Sequence, residues 1–184
     1  MDTIYKQLKE INTPKLILSK YGKYDMQTYL KNLGIKTENG KVLNDIFPDI
    51  EKISNKGVIL DMAENAFGKF MADIRNYLLK ETNWHISKQI KKDGKIIGFY
   101  LFGTKNWIEK YKYLKGVQGI ALYVLPEHRN LGYGKMLMFY GECLPYDYIF
   151  GLHDKGLNNE ENWKRRRDDV IDIGDCYVSI KKLT

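Results

Sequence analysis

The stretch "HRNLGYGKML", residues 128 to 137, sets Arg129, Gly132, Gly134 and Lys135 within seven positions and then runs into an apolar-rich segment. Glycines allow close approach to a backbone, and the unpaired N–H groups of a first helical turn attract anions, so this composition is that of an anion-binding turn. Three loop types compete for it. A Walker-type phosphate loop needs Gly five positions before the Gly-Lys pair and Ser or Thr after it, where Arg129 and Met136 stand. A dinucleotide fingerprint needs a third glycine where the chain has Leu137. What remains is R-x-x-G-x-G, Arg129-Asn130-Leu131-Gly132-Tyr133-Gly134, lying between a strand-like run and a helix. A pyrophosphate suits such a helix start better than a lone carboxylate, and Arg129 and Lys135 add charge.

The elements that must position this loop are legible in outline. "GVQGIALYV" (116 to 124) is a β-type run that leads into it, and "YDYIFGL" (146 to 152) is another that follows the segment 134 to 143. Upstream, "WHISKQIKKDGKIIGFYLFG" (84 to 103) reads as two strands joined by Asp93-Gly94, a pair that favours the positive φ of a two-residue hairpin turn. "DMAENAFGKFMADIRNYLLKE" (61 to 81) spaces Met62, Ala66, Phe67, Phe70, Met71, Ile74, Tyr77 and Leu78 at three- and four-residue intervals, which predicts one amphipathic helix. "KLILSKY" (15 to 21) suits a strand and "DMQTYLKNLGI" (25 to 35) a helix ending near Gly34, while residues 36 to 60 carry weak signals. "NNEENWKRRR" (158 to 167) reads as a helix capped by Asn158, and "VIDI" with "YVSIKKL" as a closing hairpin. The order is mixed α and β in a single domain over residues 1–184.

Residues 122 to 138, "LYVLPEHRNLGYGKMLM", resemble the acetyl-CoA-binding motif of the GCN5-related N-acetyltransferase (GNAT) superfamily, R/Q-x-x-G-x-G/A after a strand ending in V-x-P-E-x-R. The resemblance covers residues 84 to 152 well and residues 1 to 60 poorly. It implies an α/β fold of the mixed α+β kind: a twisted mixed central sheet flanked by helices, with acyl-CoA in the gap between two splayed central strands, here 117 to 124 and 147 to 152. The pantetheine arm would pair with backbone near Tyr123 and Val124, and the pyrophosphate would rest on the amides from Leu131 to Lys135, with Arg129, Asn130, Gly132, Tyr133 and Gly134 completing the loop. Acetyl-CoA or another acyl-CoA is the implied cofactor, with no metal. Transfer in this family is usually direct, the amine attacking the thioester in a ternary complex.

Direct transfer asks for a proton acceptor, oxyanion donors and an acid for the departing thiolate. Many members of the family supply that acid from a Tyr about seven residues beyond an Asn in the helix after the fourth strand. Here those positions are Arg165 and Arg166. His153, directly after "IFGL", is the best substitute, because His titrates in the useful range. Tyr148 and Tyr177 are weaker candidates, and Asn159 or Asn162 would touch the pantetheine arm or the sulfur. Glu127 belongs with the loop motif, and nothing near Cys176 argues for a reactive thiol.

Composition bounds the rest. The net charge of +7 divides unevenly: residues 1 to 56 hold 10 Lys/Arg against 7 Asp/Glu, residues 57 to 116 hold 11 against 6, and residues 117 to 184 hold 9 against 10. The basic surface therefore lies away from the loop. "KNWIEKYKYLKG" (105 to 116) and "NWKRRRDD" (162 to 169) interleave basic residues with aromatics, which keeps nucleic acid, as in phage-encoded DNA-modifying relatives, as an alternative to an amine-bearing small molecule, peptide or protein. A non-catalytic CoA-binding module is the third reading. For "KNWIEKYKYLKG" the favoured reading is a helical turn that packs Trp107, Tyr111 and Leu114. Two cysteines without metal-ligand spacing, no signal-like N-terminus and no apolar run of membrane-spanning length lead us to expect a cytoplasmic enzyme away from membranes. The oligomeric state stays open, a dimer included.

Overall fold

Asp93 and Gly94 take φ of 51° and 75°, the paired positive values that a tight hairpin demands, and they join two strands in the expected place. The structure, a computed structural model, describes residues 49–130, 133–142, 144–155, 164, 165 and 167–183. The strand expected at 15–21, the helix at 25–35 and most of the helix at 158–167 lie outside the described residues, as do Leu131, Gly132 and Asn159.

The described chain forms β1 (Asp49–Lys52), α1 (Lys56–Phe67), α2 (Ile74–Glu81), β2 (Lys88–Lys92), β3 (Lys95–Gly103), β4 (Gly116–Val124), α3 (Tyr133–Glu142), β5 (Tyr148–Asp154), β6 (Asp169–Asp172) and β7 (Cys176–Lys182). The seven strands make one sheet in the order β1-β2-β3-β4-β5-β7-β6. Every neighbouring pair is antiparallel except β4 and β5, which run parallel and are bridged by the crossover through α3. This is the mixed, helix-flanked sheet that the resemblance implies.

The single helix expected over 61–81 is two. It begins earlier, at Lys56, because the Asn55 side chain accepts a hydrogen bond from Val58 N at 3.3 Å. It ends at Phe67, whose carbonyl accepts from both Phe70 N (2.9 Å) and Met71 N (3.1 Å) and so closes a tight turn. Phe70 and Met71, read from periodicity as core residues, are 72% and 40% exposed in that turn. Arg75 of α2 then reaches back to Asp61 (2.8 Å) and Glu64 (2.6 Å), tying the two helices together.

Apolar side chains pack on both faces of the sheet. Ile59, Leu60 and Ala63 of α1 with Ile74 and Leu78 of α2 cover Phe99 and Leu101 on one face. On the other, Tyr133 and Leu137 of α3 cover Ile90, Ile97 and Val124. A third cluster, Ile108, Tyr148, Phe150, Val178 and Ile180, closes the β5–β7 end.

The pairing of β4 with β3 is irregular at one point. Leu101 pairs with Ala121 but Phe102 pairs with Gly119, so Ile120 is an extra residue without a partner. Such a bulge bends its strand and raises the local twist. Directly beside it, the parallel pairing of β4 with β5 runs from Gly116–Tyr148 to Gly119–Gly151 and stops, although both strands continue.

Candidate functional site

Beyond Gly119 and Gly151 the two central strands part, and a cavity of about 230 Å³ occupies the fork. Its walls are Gly119 to Leu122 of β4, Ile149 to His153 of β5, Met138 of α3, Tyr100 of β3 and Arg167. A Cβ at Gly119 would sit 2.6 Å from the Tyr100 hydroxyl, so that phenol lies against the vertex of the fork. A second cavity of about 480 Å³ adjoins it along β4, sharing Leu122, and runs from Phe67 and Phe70 past Tyr123 and Val124 to His128, Arg129, Asn130, Tyr133 and Gly134. This second cavity gathers Arg129, Asn130, Tyr133 and Gly134 with Tyr123 and Val124 at the end of the strand that precedes them.

How the loop is built follows from its residues. After β4, Pro126 opens a short turn over Pro126–His128, with Arg129 N bonded to the Pro126 carbonyl at 3.2 Å. Asn130 then takes φ of 61°, a left-handed conformation that Asn tolerates better than most side chains. The chain re-enters as α3 at Tyr133, which is 4% exposed and anchors the helix start. Arg129 folds back: its Nε donates to the Val124 carbonyl at 2.9 Å, with the guanidinium 5.4 Å from the Tyr123 ring. Gly134 is not demanded by the protein's own packing, because a Cβ there would meet only Leu122 at 3.7 Å. Lys135 is the third residue of α3.

Of His153 and Tyr148, two of the three candidates for proton transfer, the structure separates one from the fork. Tyr148 is fully buried, gives its hydroxyl to Asn106 and stacks near Tyr111 and Phe150. That corrects its reading as a catalytic tyrosine: the side chain is core, on the β5–β7 cluster, away from the cavity. His153 does line the cavity. It lies within β5, which runs to Asp154 rather than ending at Leu152, and its Nε2 is 2.7 Å from Ser179 Oγ. Burial first, then the nearby Arg167 charge, pushes its imidazole down to about 4. At neutral pH it therefore has no ionising proton for a thiolate, which turns the expected acid into a neutral hydrogen-bonding group.

Sequence reasoning missed Tyr100 and Arg167. Tyr100 lay inside the hairpin as one aromatic among many, and only the register and the fork show that its hydroxyl reaches the vertex. Burial pushes its phenol up to about 12. Arg167 belonged to the basic run "NWKRRRDD", yet its Nε is buried without a hydrogen-bond partner among the described residues. Cys176 gives its thiol to Asp154 at 3.2 Å, a contact that pushes the thiol up and away from nucleophilic use.

The basic aromatic stretch 105–116 is compensated locally. Lys105 pairs with Glu81, Lys110 with Asp169 and Lys112 with Glu109. Trp107 sets its ring edge-on to Phe150 at 5.3 Å and Tyr111 lies 5.2 Å from Tyr148, so packing explains both, whereas Leu114 is 42% exposed and Tyr113 is 91% exposed. Among the described residues no helix is long and apolar enough to cross a membrane, and no group of three or more His, Cys, Asp or Glu is placed to hold a metal ion.

Comparison with known proteins places this architecture. No curated protein matches the chain. Among solved structures, the PH1933 protein of Pyrococcus horikoshii OT3 is 19% identical with a TM-score of 0.54, covering 73% of this chain and 97% of that one. The PaiA N-acetyltransferase of Thermoplasma acidophilum, solved in complex with coenzyme A, is 13% identical with a TM-score of 0.54, covering 73% and 98%. The yncA protein of Salmonella typhimurium, solved with its cofactor acetyl-CoA, is 12% identical with a TM-score of 0.52, covering 74% and 94%. These likenesses concern the fold. Residues 59–142, from the first turn of α1 to the end of α3, match the model of the acetyltransferase (GNAT) family. With the forked sheet and the R-x-x-G-x-G sequence in the same span, residues 59–142 are identified as a GCN5-related N-acetyltransferase (GNAT) family domain.

Proposed function

We propose that the chain is a single-domain N-acetyltransferase that moves an acetyl group from acetyl-CoA to a primary amine by direct attack in a ternary complex. The observation that carries this reading is the fork: β4 and β5 part after Gly119–Gly151, and the opening continues along β4 to the loop at the start of α3. Past Gly119, β4 pairs with β3 on one edge only, so its other edge offers backbone groups to the two amides of a pantetheine arm. Tyr123 and Val124 are the residues at that edge. The pyrophosphate would rest on the amides from Leu131 to Lys135, where the helix start supplies unpaired N–H groups and a partial positive charge. Gly134 keeps that approach clear.

His153 is a neutral polar group at the fork, its ring held by Ser179, and the attacking ammonium gives its proton to solvent. The acceptor is an amine on a small molecule, peptide or protein.

A calorimetric titration of acetyl-CoA tests the reading, run beside Gly134→Asp, which sets a carboxylate where the phosphates belong. Binding by the wild type and a loss on the order of tenfold or more in the variant are expected. A wild type that takes up no acetyl-CoA would make the loop a structural turn and remove the proposal.

A further inference from the structure

The cavity in the fork is mostly apolar, lined by Ile120, Leu122, Met138, Ile149 and Leu152, and yet a guanidinium enters its wall. Arg167 Nε is buried with no hydrogen-bond partner, a costly state for a group of that charge. None of the described residues gives it a carboxylate. Tyr100, whose hydroxyl lies against Gly119, makes no hydrogen bond with the described residues, and His153 is held neutral facing Ser179. Two acidic groups near by are engaged elsewhere: Glu142 of α3 with Lys181 of β7 at 2.5 Å, and Asp154 at the end of β5 with the Cys176 thiol. A guanidinium whose Nε has no partner and a phenol that makes no hydrogen bond with the described residues thus face one small apolar space at the vertex of the fork. Among the described residues no anion is paired with either.

Building on the proposed reaction, we infer that Arg167 and Tyr100 receive the sulfur of CoA as it leaves, holding it as a thiolate in place of the helix tyrosine that this chain lacks. In that step the amine, having given one proton to solvent, forms its C–N bond to the thioester carbonyl carbon. The tetrahedral adduct loses its second nitrogen proton to solvent, and the C–S bond breaks with its electron pair passing to sulfur. The guanidinium charge balances the new anion and the Tyr100 hydroxyl donates a hydrogen bond to it. Neither side chain gives up a proton. Tyr100 suits this role because burial keeps its phenol protonated far above neutral pH. The thiolate takes a proton from solvent when CoA departs.

The test needs no acceptor. The ultraviolet absorbance of the thiolate, followed against pH with CoA bound, gives the pKa of the bound thiol. An opposite charge within contact distance lowers it by about one unit or more relative to free CoA. In Arg167→Gln the value returns to within a few tenths of a unit of free CoA, Arg167→Lys keeps part of the shift, and Tyr100→Phe loses a smaller part while preserving the packed ring. Desulfo-CoA, which has no sulfur, binds wild type and Arg167→Gln alike. An equal thiol pKa in wild type and Arg167→Gln overturns the inference, as does equal loss of CoA and desulfo-CoA binding in that variant. Should Arg167→Gln fail to fold, an unshifted thiol pKa in both wild type and Tyr100→Phe overturns it. Absence of CoA binding to the wild type would instead remove the acetyltransferase reading beneath it.

Discussion

Arg129 Nε donates to the carbonyl of Val124, five residues back in the chain, at 2.9 Å. The motif arginine therefore braces the end of the strand it follows. Removing the bond loosens the last residue of β4 and the entrance to the loop together.

Arg129→Ala is expected to lower stability by about 1 kcal/mol, the scale of one hydrogen bond, in urea unfolding. It should also weaken acetyl-CoA binding in titration. Arg129→Lys restores the charge without the planar Nε donor, so it should recover part of the binding and little of the stability.

Two glycines of α3 should respond with opposite sign. At Gly141 an added Cβ falls 2.9 Å from Tyr100 and 3.1 Å from Phe102, so Gly141→Ala should cost about 1–3 kcal/mol through overpacking. At Gly134 the nearest atom is 3.7 Å away, and Gly134→Ala should leave stability unchanged or raise it by up to about 1 kcal/mol. Thermal unfolding of the pair checks this, and only Gly134→Ala should combine retained stability with weaker cofactor binding.

His153 makes stability depend on pH in a defined window. Its folded pKa, about 4, lies below the ordinary 6.5, so between those values the unfolded chain binds more protons than the folded one. Stability from this group is complete above about 6.5 and falls as pH drops toward 4. Urea unfolding over that range should show a smaller pH slope in His153→Asn than in the wild type, with no difference in slope above pH 7.

The loop before β4 is moored at Asp169, which accepts from Lys110 Nζ at 2.6 Å and Tyr111 Oη at 2.7 Å. Lys110 first, then Tyr111, holds that carboxyl below its usual range, so the mooring is complete above the ordinary carboxylate pKa and released as pH falls through the lowered one. Asp169→Asn should speed amide exchange at Tyr111, Lys112 and Leu114 by roughly fivefold, the equivalent of about 1 kcal/mol. An unchanged exchange rate would show that Trp107 and Tyr111 packing alone fixes the loop.

What could be read from residue order was local. Asp93-Gly94 announced a hairpin because two successive positive φ values have few residue solutions, and the R-x-x-G-x-G spacing announced a strand, a turn and a helix because each position has a steric reason. The break between α1 and α2 was hidden, since Phe70 and Met71 continue the apolar spacing and only the double use of the Phe67 carbonyl ends the helix. β1, "DIEK", carries one apolar residue in four and owes its strand to pairing with β2. Tyr148 and Tyr100 looked alike in sequence as tyrosines on strands. Which one reaches the fork depends on the face each strand presents, and a bulge resets that face without any compositional mark.

That bulge has a genetic consequence. Ile120 is the residue by which β4 exceeds its partner, so losing its codon would leave charge and nearly all of the core untouched. The straightened strand could then keep pairing with β5 past Gly151 and close the space that the fork provides. The functional constraint on this segment thus falls on its length as well as its chemistry: a substitution at Ile120 perturbs one wall, whereas a single in-frame deletion would erase the room itself.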